Sequence, residues 1–251
     1  MSRAKISAAF IARNEAVNIS EALKSVAFAD QVVVADTGST DNTIEIAREL
    51  GAEVHSIVFE GFGNTKNKAL DFCTGDWVLF IDADERVTSE LAEKIMNVSN
   101  NDTPTAGFLI NRLTYFLGKP VRHSGWYPDY TLRFFKRKSG KFSNRLVHEQ
   151  VEVEGPVGRL EGLLLHNSYH NLDQYLDKLN EYSTLSAREM FDKGKKFNIL
   201  DLVFRPISTF LKMLIFKAGL LDGFIGLILA VLSSYHVFVK YAKLYQLWRN
   251  R

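Results

Sequence analysis

Asp82, Asp84 and Glu85 are the residues whose types and spacing point most directly to chemistry. They follow the apolar run Trp77-Val78-Leu79-Phe80-Ile81, with Ala83 between the two aspartates. An unbroken apolar run of this length predicts a strand buried on both faces. Its end, where the sheet meets solvent, is where open α/β folds bind ligands. Asp82 and Asp84 stand two apart, so both side chains can turn to one side of the strand end. Packed carboxylates repel unless a cation lies between them, and Mg²⁺ or Mn²⁺ suits oxygen donors. The same run also reads as an acidic turn ahead of a helix capped at Thr88-Ser89.

Two further sets of polar residues end apolar runs. Arg13-Asn14-Glu15 follows Ile6 to Ala12, and Asp36 follows Gln31 to Ala35. An acid ending a second strand grips a ribose in dinucleotide folds, but those folds need a glycine-rich first turn. Here that turn reads Arg13-Asn14-Glu15-Ala16-Val17-Asn18 and holds no glycine, which argues against an NAD site. Asp36 remains a group for a uracil or ribose, with a metal at Asp84 in place of the missing helix cradle. Lys66 and Lys68 either face a diphosphate or are solvated helix lysines. Arg133 and Arg137 offer forks that match phosphate geometry, though Lys136-Arg137-Lys138 also reads as a solvated strand edge.

The elements that must position these groups alternate. Strands are predicted at 6–12, 31–36, 54–59 and 77–81, with helices at 17–26, 43–50, 65–73 and 88–99. Gly51 stops the second helix. Alternation with short loops predicts an α/β fold with a doubly wound, mainly parallel sheet. Strands at 107–116, 131–135, 146–153 and 160–165, parted by Gly/Pro turns, extend it. Asn171 caps a long helix whose Leu172, Tyr175, Leu176, Leu179, Tyr182 and Leu185 share one face. Gly194 between lysines suggests a boundary, giving a domain over 1–195 and a helical tail over 196–251. With 251 residues, 46% hydrophobic and 24% charged, the composition is globular. The lone Cys73 rules out an internal disulfide and suits a reducing compartment. The run Ile6 to Ala12 is too short, and lacks the small-residue cleavage site, for a signal peptide.

Net charge is +2, but unevenly spread. From Lys193 onward ten basic residues face two acids, Asp201 and Asp222. Such asymmetry predicts an anionic partner surface. Because this tail is also very apolar, a membrane surface fits and nucleic acid does not. Gly223 to Val239 carries no charged side chain, yet sits at the lower limit for a span, about 17 residues. Aromatic and basic residues flanking apolar ones suit an interfacial helix pair. A spanning hairpin and an ordinary packed helix or oligomer contact are the other readings.

Ile11-Ala12-Arg13-Asn14-Glu15, Val34-Ala35-Asp36-Thr37-Gly38-Ser39-Thr40-Asp41-Asn42-Thr43 and Asp82-Ala83-Asp84-Glu85 resemble, in order and spacing, the signatures of family 2 glycosyltransferases. Those enzymes have the GT-A fold (Rossmann-like), invert configuration and use nucleotide-sugar donors. Gly125-Trp126-Tyr127-Pro128-Asp129, Leu132-Arg133-Phe134-Phe135, Val147-His148-Glu149 and Gly219-Leu220-Leu221-Asp222-Gly223 narrow the likeness. Together they resemble bacterial lipopolysaccharide inner-core β-1,4-glucosyltransferases, which move glucose from UDP-glucose to a heptose. The resemblance implies that Ala12, Asn14, Glu15, Asp36 and Ser39 hold base and ribose. It implies that Asp82 and Ala83 line the ribose, that Asp84 ligates a metal bridging the phosphates, and that Lys66 and Arg133 attend the diphosphate. It further implies a membrane-surface enzyme on the cytoplasmic face, acting on a lipopolysaccharide-type glycolipid.

Inverting transfer needs one base for the acceptor hydroxyl. The Glu-Asp pair usual in the family is absent; Asp129 is the substitute and Glu149 its rival. His148 would complete the metal site, or is a hydrogen-bonded structural histidine. Trp126 and Tyr127 could stack on a sugar. An apolar strand ending in Asp-x-Asp also occurs in haloacid-dehalogenase-like phosphatases. There Gly-Thr usually follows and the strand is first, whereas here Glu85-Arg86 follows and the strand is fourth.

Overall fold

The computed structural model describes residues 3–143, 150–169 and 171–250. In chain order its strands are β1 (Ile6–Ala12), β2 (Gln31–Asp36), β3 (Glu53–Ser56), β4 (Trp77–Phe80), β5 (Glu85–Val87), β6 (Gly107–Phe116), β7 (Lys119–Pro120), β8 (Asp129–Lys136), β9 (Gly140–Phe142), β10 (Val151–Val153) and β11 (Val157–Tyr169). Its α-helices are α1 (Ile19–Ser25), α2 (Thr43–Glu49), α3 (Phe62–Asp71), α4 (Ser89–Asn100), α5 (Leu172–Asp192), α6 (Ile199–Leu211) and α7 (Gly223–Arg249). The chain forms two compact units, Met1–Arg112 with Asp129–His166, and Leu113–Pro128 with Asn167–Arg251. The division falls inside β6 and β11 rather than near residue 195, because α5 packs with α7.

In the first unit the sheet order is β3-β2-β1-β4-β8-β6-β11-β5. The four strands from β3 to β4 are mutually parallel; β8 then runs antiparallel to β4, β6 to β8, and β5 to β11. Strand alternation sorts the side chains into two cores. Ile6, Ala8, Phe10, Val34, Leu79 and Ile81 pack with α1, α2 and α4. Ala9, Val33, Ala35, Val78 and Phe80 pack with α3. That two-sided burial is why β1, β2 and β4 are apolar throughout. β3 stops at Ser56, short of the expected Phe59, and Val58 and Phe59 lie exposed. β5 was not expected. Its three residues include two charges, and its pairing with β11 is remote in sequence. Thr88 does cap α4, its side chain accepting from Leu91 N.

The second unit is helical. Asn171 caps α5 by accepting from Gln174 N at 2.8 Å. After α6 come one π-helical turn, Lys212–Phe216, and one 3-10 turn, Gly219–Asp222, before α7. Tyr241 and Leu244 of α7 pack on Ala187, Met190 and Phe191 of α5. Nearer its start, Leu229 packs on Phe116, Val121 and Tyr175. α7 is the one described helix long and apolar enough to cross a membrane, yet one side of it is committed to these contacts.

Candidate active site

The carboxyl end of β4 gathers the first unit's densest charge. Glu85 is fully buried, a position that costs several kcal/mol for an unpaired charge. Three groups meet it. Its Oε2 accepts from Asp82 N at 2.8 Å, and its Oε1 takes Arg133 Nη2 at 2.8 Å and Arg112 Nη1 at 3.3 Å. Burial still pushes the Glu85 carboxyl up, against the pull of Arg133. Asp82 Oδ2 takes the same Arg133 Nη2 at 2.6 Å, and Lys66 Nζ lies 3.7 Å from its Oδ1. Burial works against that charge too, but Arg133 and Lys66 outweigh it and hold the Asp82 carboxyl well below the usual range. Lys66 is itself buried, its ammonium over the rings of Phe80 and Phe142.

Asp84 turns elsewhere. Its Oδ2 lies 3.3 Å from Nε2 of His166. His166 sits on β11, opposite Glu85 in the β5 register. A carboxylate beside an imidazole is a two-donor set that a small divalent cation accepts, with phosphate oxygens and water filling the other positions. The described residues hold no cluster of three or more His, Cys, Asp and Glu able to ligate a metal. The sequence does not single out His166, because the cross-strand register that brings it to Asp84 cannot be read along the chain. His148 and Glu149 lie outside the described residues.

Asp36 and the first strand end meet through their loops. Asp36 is nearly fully buried and accepts from Gly38 N at 2.9 Å, from Ser39 N at 3.0 Å and, in a very short bond, from the Ser39 hydroxyl. Its carboxylate thereby fastens its own turn. Asn14, at φ 57°, donates from its N to Ser39 Oγ and accepts Thr40 N at 2.8 Å. Glu15 N donates to Thr43 Oγ1 at 2.8 Å. Ala12 and Ala83 are buried small residues at the two strand ends.

Asp129 opens β8 directly across from Arg112 of β6. Arg112 Nε and Nη2 reach its Oδ2 at 2.8 and 2.7 Å, while Arg112 Nη1 faces Glu85. Arg112, which sequence reasoning missed, thus bridges the β4 end and the candidate base. Arg133 differs from expectation. It is buried, and Asp82 and Glu85 claim its Nη2, so it is no free phosphate clamp. Lys68 pairs with Glu60 at 2.7 Å. Trp126 packs on Phe116 and Tyr169, as part of an aromatic cluster.

Residues 7–149 match the family model for glycosyl transferase family 2. An uncharacterized glycosyltransferase of Rickettsia typhi is 31% identical over 97% of this chain and 87% of its own length. The lipopolysaccharide core biosynthesis glycosyltransferase LpsC of Rhizobium meliloti is 30% identical over 96% of this chain and 92% of its own. Among solved structures, mannosyl-3-phosphoglycerate synthase from Rubrobacter xylanophilus aligns at a TM-score of 0.49 and 18% identity, over 78% of this chain and 76% of that one. The family model spans more than half of the chain and both sequence relatives run along nearly all of it, so the chain belongs to glycosyl transferase family 2 and is a glycosyltransferase.

Proposed function

We propose that this glycosyltransferase moves a hexose, glucose from UDP-glucose, onto a heptose of the lipopolysaccharide inner core with inversion. The observation that carries the donor side is the pairing of Asp84 with His166 beside a neutralised Asp82. Asp84 and His166 would hold a divalent ion, Mg²⁺ or Mn²⁺, which when bound would supply positive charge to a diphosphate leaving group. Lys66, already at Asp82, adds charge on the same side. The loops tied by Asp36, Ser39, Asn14 and Glu15 form the rest of the nucleotide site. Asp129 takes the proton of the acceptor hydroxyl, and Arg112 holds its carboxylate in place. The carbohydrate class is supported by the motif set and by the relative named for lipopolysaccharide core biosynthesis. The basic, apolar helical unit suits work on a lipid-linked glycan at the cytoplasmic face of an anionic membrane.

Calorimetry of UDP binding, with Mn²⁺ or Mg²⁺ and then with EDTA, tests this. The wild type should bind UDP only with the ion, and bind the ion weakly without UDP. Asp84→Ala should abolish the metal-dependent component while the fold persists. UDP binding indifferent to both metal and Asp84 overturns the metal assignment.

A further inference from the structure

Within the helical unit, a cavity of about 380 Å³ is lined by Lys119, Pro120, Arg122 and His123 on one side and by Leu221, Asp222, Phe224 and Ile225 on the other. Asp222 builds it. Its carboxylate accepts from the backbone N–H groups of Arg122 and His123, both at 3.0 Å, and from the Ser124 hydroxyl at 2.9 Å, with His123 Nδ1 at 3.1 Å. Lys217 O accepts from Ser124 N at 2.8 Å, fastening the same loop to the helical turns. The negative charge is consumed inside the clasp. Lys119 and Arg122 are exposed and form no ion pair among the described residues. The Arg122 guanidinium lies 6.0 Å from the Tyr127 ring centroid.

The other wall is apolar and open. Leu221 and Phe224 are 72% and 75% exposed, and Phe216 and Leu220 in the same connection 81% and 65%. Phe224 also begins a stripe along α7 that continues through the exposed Leu227, Val231, Tyr235 and Phe238 at helical spacing. The fourteen helical rises from Phe224 to Phe238 make that stripe about 20 Å long. Large exposed apolar patches rimmed by cations mark sites for amphiphiles.

We propose that this cavity binds the phosphate of an anionic lipid headgroup in a bilayer, with Lys119 and Arg122 on the phosphate. Leu220, Leu221 and Phe224 then lie among the acyl chains. Unpaired cations beside a long apolar stripe match a lipid, since neither a soluble anion nor an acidic peptide would cover that stripe. The assignment rests on the reading that the enzyme works at a membrane, and adds where its contact lies and what it grips.

The test is flotation of the full chain with vesicles of phosphatidylcholine alone and with added phosphatidic acid, UDP binding being followed in the same samples. The wild type should favour phosphatidic acid. Lys119→Ala with Arg122→Ala should weaken that binding roughly 30-fold, at two surface charges. Leu221→Ser with Phe224→Ser should weaken it comparably, with UDP binding unchanged in both. All four side chains are largely exposed, so the folds should survive, as circular dichroism would confirm. Wild-type vesicle binding by either double variant overturns the proposal. Complete displacement by inorganic phosphate overturns the lipid assignment in favour of a soluble anion. Capture of poly-glutamate without vesicle binding overturns it in favour of an acidic protein. Loss of UDP binding by the wild type would count against the donor reading alone.

Discussion

A buried glutamate between two arginines is stable only while every charge is matched, because an uncompensated buried charge costs about 3–5 kcal/mol. Glu85 meets that condition through Arg133 and Arg112, and so ties the β4 end to Asp129. Asp129→Asn should lower kcat about 10²–10⁴-fold and leave UDP affinity intact. Arg112→Lys keeps the charge but loses the fork that holds both carboxylates. It should cut kcat by up to about 10²-fold, again with little change in UDP binding. Equal losses in kcat and UDP affinity would make Arg112 a part of the fold only. Asp82 predicts a pH effect. Its folded carboxyl is held below its unfolded value by Arg133 and Lys66, so below the ordinary value of about 3.9 the unfolded state binds the extra proton. Its stabilisation is full above that value and lost as pH falls. As pH falls from about 4 toward about 2 the wild type should lose more of its Tm than Asp82→Asn does. Asp82 and Asp84 are legible because they end an apolar run, whereas Asp129 is reached only through the family resemblance. Arg112 and His166 were not, since only cross-strand register brings them in.

Elements differ in how plainly their sequences announce them. β1, β2 and β6 match their predicted bounds because continuous or alternating apolar residues state which faces are buried. β5 escaped because its signal lies in its partner. Leu164, Leu165 and His166 pair with Val87, Arg86 and Glu85 across the sheet. The approach of β11 to α4 depends on Gly162, at φ +98°, where a Cβ would stand 2.8 Å from the Leu91 backbone. Neither the dihedral nor the spacing accepts a side chain. Gly162→Ala should therefore cost about 2 kcal/mol or more in urea denaturation. Because His166 is four residues along the same strand, it should also weaken metal-dependent UDP binding. A stability loss with unchanged metal dependence would separate β11 from the metal site.

At the scale of the whole molecule, charge and apolar surface are concentrated in the helical unit. The chain from Lys193 on carries ten basic residues and two acids, while the remainder is net negative. The sequence showed that asymmetry but not which residues of α7 are buried. Leu229, Ala230, Tyr241 and Leu244 of α7 are buried, so removing residues 206–251 would strip the unit's interior along with its surface. Salt separates the contributions without touching the fold. Charge attraction to an anionic bilayer decays over about 8 Å at physiological ionic strength and about 3 Å at 1 M, whereas insertion of apolar residues is unweakened by screening. Vesicle binding should therefore fall steeply as NaCl rises and then level at a residual set by Phe216, Leu220, Leu221 and Phe224. Binding that falls to nothing would leave only electrostatic attraction. Binding indifferent to salt would mean the basic residues face something other than the membrane, and would direct attention to contacts between copies of the chain.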